Sequence, residues 1–543
     1  MTSLASGDGI YRVGVPKIGQ LQGQGRLVPH KWHSATDMAG AAIPCRLEGE
    51  IEDLVVLGEI PKEIDGTFYR VMTDPFVPPH PGTVPIDGDG HVSAFRLYNG
   101  KVDFKMRYVE TQRYLLERKA GKQLFGLYRN PYTHHPCVRA AVDSTANTNI
   151  LLWNDKLIAL KENGLPYYMD PDSLETLGYD PWKDNKIASK TFTAHPKIDP
   201  FKNELVTFGY EAKGLCTLDT VAYSLDQNGK AHNEFWCQAP FNGFIHDSAI
   251  TENFQILVVW PFEGSIERMK AGKHHWAWNY DRPAMWMILP RTKEAGKKYG
   301  WKEGEYRWYV WENCMTIHSC GAWEENGKVY LETSRLFDNG LPFFIADSGR
   351  KAPPAPKCDF TRWEFDLTQP SGSKCPDPYV ILDMAGDMAR MDERFMTKKY
   401  RWFFAIVSIP ETGMEDSRAF IYNRTNGIVK LDHTTGKYEV YNAGDQCVCQ
   451  EPAFIPRSDD APEGDGYILS MIDNQKEGKS HIVVLDTKDF SSPIAIIQMP
   501  VRIRAQIHGN WVAGSAFKER KPLVKQVGDI EIFRDGALEP LMI

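Results

Sequence analysis

The chain has 543 residues, 42% hydrophobic and 25% charged, and its 63 Lys and Arg against 71 Asp and Glu leave a formal charge of −8. This length exceeds the ~250–300 residues at which one conventional core stops growing, so it calls for several domains or one large closed all-β architecture. A net-acidic chain without Lys/Arg blocks has no footprint for nucleic acid, and no stretch reaches the ~18 apolar residues of a transmembrane segment.

In chain order, the opening MTSLASGDGIYRVGVPKIGQ lacks the apolar run of a secretory signal. Ten irregularly spaced cysteines point to free thiols in a reducing, cytoplasmic setting. Residues 1 to about 45 read as an N-terminal extension of a single domain that takes in the whole of 1–543. Asp87-Gly88-Asp89-Gly90 opens like a calcium loop but lacks the glutamate at the twelfth position, and it reads as a tight hairpin turn. The best helix candidate spans Glu110 to Leu127, with Tyr114, Leu115, Leu116 and Leu124 among charges and Gly121 as a weak point. His134-His135 and His274-His275 stand in polar, turn-like contexts and read as surface pairs.

Most other segments are short apolar runs between turns, as strands are. Ile150–Trp153 and Leu157–Leu160 flank a polar turn at Asn154-Asp155-Lys156; Leu205–Phe208 and Val221–Ser224 flank another. Phe254–Phe262 reads as a buried strand. Cys447 and Cys449 form a CxC pair with no second pair at zinc-site spacing. Asp170, Asp226, Asp432 and Asp486 each follow an apolar strand end and open a turn, as aspartates do when the carboxylate bonds its own backbone two residues on. Repeated hairpins of that kind suit propeller blades, and no linker divides the chain.

Four histidines stand out by context: His195 in FTAHPKIDP, His246 in GFIHDSAITENF, His318 in MTIHSCGAWEE and His508 in RAQIHGNW. Their separations match no local metal motif. A propeller, however, brings inner strands from distant parts of the chain to one axis.

TAHPKIDP, FIHDSAITEN, IHSCGAWEE, EPAFIPR and IHGNW follow the order and approximate spacing of motifs in the carotenoid cleavage oxygenase family. The resemblance runs from Gly66-Thr67-Phe68-Tyr69-Arg70 to Trp511. It implies a seven-bladed β-propeller, capped by loops and helices, with a non-haem Fe(II) on its axis. His195, His246, His318 and His508 fall on the ligand positions. Glu162 in ALKENG and Glu451 in CQEPAFIPR match two of the glutamates that orient those rings. Asp387 stands at the third, where a side chain one methylene shorter needs a closer backbone or a bridging water. Ser248 and Gly321 also depart from the pattern, at positions where an aromatic and an Asn are commoner.

Lys161 precedes Glu162, and in the stilbene-cleaving branch of the family a Lys there and an upstream Tyr grip the substrate's 4′-hydroxyl. Tyr132 is the candidate for that Tyr, with Tyr128 the alternative; Phe76 is expected to add an aromatic wall. An ammonium beside a phenol favours phenolate, which pushes electron density onto the central double bond. The expected activity is Fe(II)-dependent cleavage, by dioxygen, of the interphenyl C=C bond of a 4-hydroxystilbene such as resveratrol or piceatannol into two aromatic aldehydes, without an organic cofactor. Apocarotenoid cleavage is the rival activity, and a metal-free interaction scaffold is the rival from another class.

Overall fold

The computed structural model describes Trp32 and residues 43–80, 82–353, 356–410 and 424–530. Apart from Trp32 and residues 43–45, the expected N-terminal extension lies outside them. The described residues form a seven-bladed β-propeller, each blade a sheet of four to six strands. The innermost strands are Gly509–Ala513, Asn149–Trp153, Lys197–Asp199, Gly243–Ile250, Met315–Glu325, Gly386–Met391, and the broken pair Cys447–Cys449 and Ala453–Pro456. No helix of the described residues is long and apolar enough to cross a membrane.

Both ends of the chain take part in closing the ring. Gly509–Ala513 supplies the inner strand of the first blade, pairing antiparallel with Gly66–Thr73 from Gly66↔Ala513 to Arg70↔Gly509. Val56–Gly58 becomes the outermost strand of the last blade, against Asp489–Gln498.

The four Asp turns occupy one equivalent place. Each joins the third strand of a blade to the fourth, and each carboxylate accepts the backbone N–H two residues on at 2.9–3.0 Å. Asp366 does the same in the fifth blade, where a longer loop hides the echo. The hairpin after Trp153 turns on two residues, because Asn154 and Asp155 both adopt the positive φ of a type I′ turn and Lys156 already pairs with Trp153.

Three expectations are corrected. The helix is Gln112–Ala120, capped by Thr111 and ended by Gly121 at φ 64°, so the pattern running to Leu127 outlasts the helix itself. Asp87–Gly90 is no hairpin turn; it ends the long connection between Gly66–Thr73 and Gly90–Tyr98, where Asp87 pairs with Arg113 and Asp89 accepts the Phe76 N–H. One ring of each histidine pair is not superficial: His134 is buried against Asp143 and His275 against Glu211, whereas His135 is exposed as expected and His274 is half-buried.

A cap is built from insertions between strands. Asn130 donates to the carbonyls of Met269 and Lys273, and Arg268 pairs with Asp347, so that segments 110–147, 265–275 and 337–353 are tied together at one end of the propeller.

Closure generates a prediction. A Cβ at Gly66 would stand 2.4 Å from both the Trp511 ring and the Val512 carbonyl oxygen. Gly66→Val should therefore cost about 1–3 kcal/mol, the usual penalty of overpacking, in chemical denaturation. An unchanged midpoint would contradict the pairing of these two strands.

Candidate metal centre

Inner strands place the four histidines. His195 precedes Lys197–Asp199 by two residues and His508 precedes Gly509–Ala513 by one. His246 and His318 lie within their strands where the register slips, between Ile245 and Ser248 and between Thr316 and Ser319. Such irregularities turn a side chain away from its regular face.

One ring nitrogen from each histidine lies within 4.8 Å of the others. Nε2 of His195 and Nε2 of His246 are 3.0 Å apart, and ring centroids in the cluster are 4.5–5.3 Å apart. Nε2 of His318 and Nε2 of His508 are buried without a hydrogen-bond partner among the described residues. Uncompensated buried imidazole nitrogens around one point are costly in a bare protein and are what a cation would satisfy.

Each of three rings has a buried carboxylate behind it. Asp387 Oδ2 lies 2.8 Å from His318 Nδ1, Glu451 Oε1 lies 3.1 Å from His508 Nδ1, and Glu162 Oε1 lies 3.5 Å from His246 Nδ1. Asp387 needs no bridging water. Its strand bulges between Asp387 and Arg390, with Met388 at φ 55°, and Ser334 donates to its other oxygen at 2.6 Å. His195 has no such partner; Asp247 Oδ1 is 3.8 Å from its Nδ1. Asp247, which the sequence reading passed over, is fixed by Lys197 and by the N–H groups of Ser248 and Ser319.

Burial and these contacts set the charges. Burial, reinforced by the neighbouring imidazoles, pushes His195 far below the ordinary histidine value. Burial also takes His508 down to about 4 in spite of Glu451. For His318 burial acts downward too, but the Asp387 carboxylate outweighs it and the value rises. Burial works to raise the carboxylates; His246 and Lys161 overcome it at Glu162, His318 at Asp387, and His508 and Arg390 at Glu451, so all three are held below the usual range.

Beside the cluster lies a cavity of about 230 Å³ whose walls include Phe244, Trp260, Ile317, Leu341, Phe343 and Met388. Lys161 lines it, buried, with Nζ donating to the Ile86 carbonyl at 3.2 Å and lying 4.9 Å from the centre of the Tyr128 ring. Burial lowers its pKa. Tyr128, also buried, donates its hydroxyl to Glu162 Oε1 at 3.2 Å.

Two expected contacts are not brought here. Tyr132 is 47% exposed, on a 3-10 turn whose cap residue Asn130 ties the backbone inward and leaves the phenol outside; Tyr128 takes the place beside Lys161. Phe76 packs edge-on against Tyr108 and Tyr114 instead of walling the cavity. The wall comes from Phe244 and Trp260, on the same blade as His246, and from Phe343 of the cap. Their nearness to FIHD in sequence was the available signal for the first two. At Gly321 the Tyr400 ring and Met391 Sδ fill the space a side chain would need, and Ser248 is buried beside Gln255. Cys447 and Cys449 lie in an apolar cluster. Glu211, Cys216 and His275 form the other ligand-like group among the described residues, but the Glu211 carboxylate is already paired with Arg129 and His275.

The family model described as retinal pigment epithelial membrane protein matches residues 42–513. Resveratrol cleavage oxygenase 1 of Botryotinia fuckeliana is 58% identical over 95% of this chain and 92% of its own. Carotenoid cleavage oxygenase 1 of Neurospora crassa is 39% identical over 89% and 91%. The crystal structure of Pseudomonas brassicacearum lignostilbene dioxygenase superposes with a TM-score of 0.82, at 37% identity, covering 90% of this chain and all of that one.

The hydrogen bonds of Asp387 can be tested alone. Asp387→Ala leaves His318 Nδ1 and Ser334 Oγ without their acceptor, and should destabilise the protein by about 1–3 kcal/mol in urea denaturation. Wild-type stability would show that another group serves both.

Proposed function

Because this chain belongs to the retinal pigment epithelial membrane protein family, the carotenoid cleavage oxygenases, we propose that it is an Fe(II) dioxygenase that cleaves the central C=C bond of a 4-hydroxystilbene into two aromatic aldehydes. The observation that carries the reading is a buried ammonium, Lys161, in a largely aromatic and aliphatic cavity lined by His246 and His318, two of four converging imidazoles. His195, His246, His318 and His508 would hold the ion, and their donor chemistry fits it: neutral imidazole suits Fe(II), and two of the nitrogens have no other partner. Bound there, Fe(II) supplies the chemistry that lets dioxygen react with a carbon–carbon double bond.

The chain's own residues do the rest. Asp387 and Glu451 accept from the far nitrogens of His318 and His508, and the Glu162 carboxylate faces that of His246 at 3.5 Å, so that three rings are oriented from behind. Phe244, Trp260 and Phe343 offer flat apolar surface to a planar diaryl substrate and exclude water from it. Lys161 Nζ keeps N–H groups beyond the one spent on Ile86 and can donate to a phenol oxygen, lowering the phenol's pKa where water is scarce. Tyr128 links that corner to Glu162 and so to His246. The hydrocarbon of an apocarotenoid would offer no acceptor to the remaining Lys161 N–H groups, which a phenol oxygen does. A scaffold would have no use for three buried carboxylates set behind four buried or nearly buried imidazoles. The ten free cysteines suit a cytoplasmic setting.

Two tests follow from the site. His318→Ala should lose bound iron and turnover, whereas Glu451→Gln should lower metal affinity about 10–100-fold while keeping the fold; full iron content in His318→Ala would refute the ligand assignment. Lys161→Met should retain iron yet cleave resveratrol about 10²–10⁴-fold more slowly. Wild type should scarcely cleave the 4′-methyl ether of resveratrol, and on that compound the Lys161→Met change should have little further effect. Rapid cleavage of the ether, or undiminished resveratrol cleavage by Lys161→Met, would move the assignment to an apolar polyene.

A further inference from the structure

A second cavity, of about 250 Å³, meets the histidine cluster from the other end of the propeller axis. The strands themselves show that the two cavities are opposed. Along Gly386–Met391, Met388 lines the aromatic cavity, while Ala389, Arg390 and Met391 line the second. Along Met315–Glu325, Ile317 lies on the aromatic side, Ser319 and Cys320 on the other, and His318 touches both. In the closing segment residues 504–507 lie on the aromatic side and residues 510–513 on the other, with His508 at the change. In each strand the change of side falls at or beside the level of the four rings, so the cluster is the partition between the two spaces.

The second cavity differs in chemistry. Asp247, Glu393 and Glu451 line it against two cations, Lys197 and Arg390, which leaves one negative charge in excess. Lys197 Nζ is 3.0 Å from Asp247 Oδ1, Arg390 is 3.2 Å from Glu451 and also pairs with Glu393, and the amides of Asn149 and Asn510 add further polar atoms. The Glu393 side chain is half exposed, and Ala513 and Ala516 beside it are exposed, which marks the mouth. His195, His318 and His508 all line this cavity. The aromatic cavity also carries Glu162 and Glu451, but Lys161 and Arg504 balance them and Phe244, Trp260 and Phe343 wall it; a hydrated divalent ion moving past the second cavity's carboxylates and amides exchanges one set of oxygen ligands for another under an excess of negative charge.

We infer that the metal ion reaches and leaves the four-histidine cluster through this polar axial cavity, so that cofactor and substrate use opposite openings of the propeller. The inference rests on the reading of the cluster as the Fe(II) site. The excess negative charge focuses cations at the mouth, an effect that raises on-rates about 10–10³-fold in comparable clefts.

The test measures metal exchange and not turnover. Iron-loaded wild type and the double variant Ala513→Trp/Ala516→Trp are mixed with excess ferrous chelator, and iron release is followed by absorbance. Uptake of Co(II) by the stripped full-length chains is followed in the same way. Both rates should fall about tenfold or more in the variant, with equilibrium metal content and kcat/KM on resveratrol unchanged. Glu393→Gln should slow uptake without changing kcat/KM. A saturated, uncleavable stilbene analogue filling the aromatic cavity of wild type should leave both rates alone. Equal rates in wild type and the double variant, or exchange blocked by the analogue, would overturn the inference while leaving the Fe(II) assignment standing. A wild-type chain that binds no metal would overturn that assignment and this passage with it.

Discussion

The hydrogen bond between a buried carboxylate and the far nitrogen of an imidazole is the contact on which the centre depends. Four rings lie crowded within 4.8 Å of one another, and burial keeps at least His195 and His508 from taking up a proton. What holds three of them in place is Asp387, Glu451 and Glu162, each fixed in turn: Asp387 by Ser334, Glu451 by Arg390 and the Gly509 N–H, Glu162 by Tyr128. Carboxylates behind neutral ligands supply, one bond further out, the negative charge that a divalent ion lacks in its immediate shell. His195 is the exception, held by its backbone N–H on Thr193 and only loosely by Asp247.

The propeller makes those bonds affordable in geometry. His508 and Glu451 are carried by the last segments of the chain, and their position is set by the pairing of Gly509–Ala513 with a strand laid down more than four hundred residues earlier. Register slips at His246, His318 and Asp387 give up local ladder hydrogen bonds and turn these side chains to the axis. Arg70, wholly buried beneath the closing strand, donates to the carbonyls of Glu451 and Ile507 and so fastens the first blade to the last at the level of the site.

Much of this was legible in the sequence, and what was not has identifiable causes. The Asp turns could be read because an Asx turn is a local structure, complete within three residues. The four histidines, by contrast, were separated from the other eleven by ordered motifs and not by any periodicity, since convergence on an axis leaves no trace in spacing. The helix was overextended because apolar residues past Gly121 pack in the cap without being helical. Tyr128 and Tyr132 precede ALKENG by similar distances, and only the turn capped by Asn130 decides which phenol is inside. Asp247 went unnoticed because its partners, Lys197 and the N–H of Ser319, come from neighbouring blades.

The most direct measurement is anomalous diffraction at the iron edge from crystals of the iron-loaded protein. The account predicts a single peak between Nε2 of His195, His246, His318 and His508, with Asp387 and Glu451 still bonded to the far nitrogens of His318 and His508 and Glu162 facing that of His246. No peak there in catalytically active crystals, or the main peak at Glu211, Cys216 and His275, would contradict it.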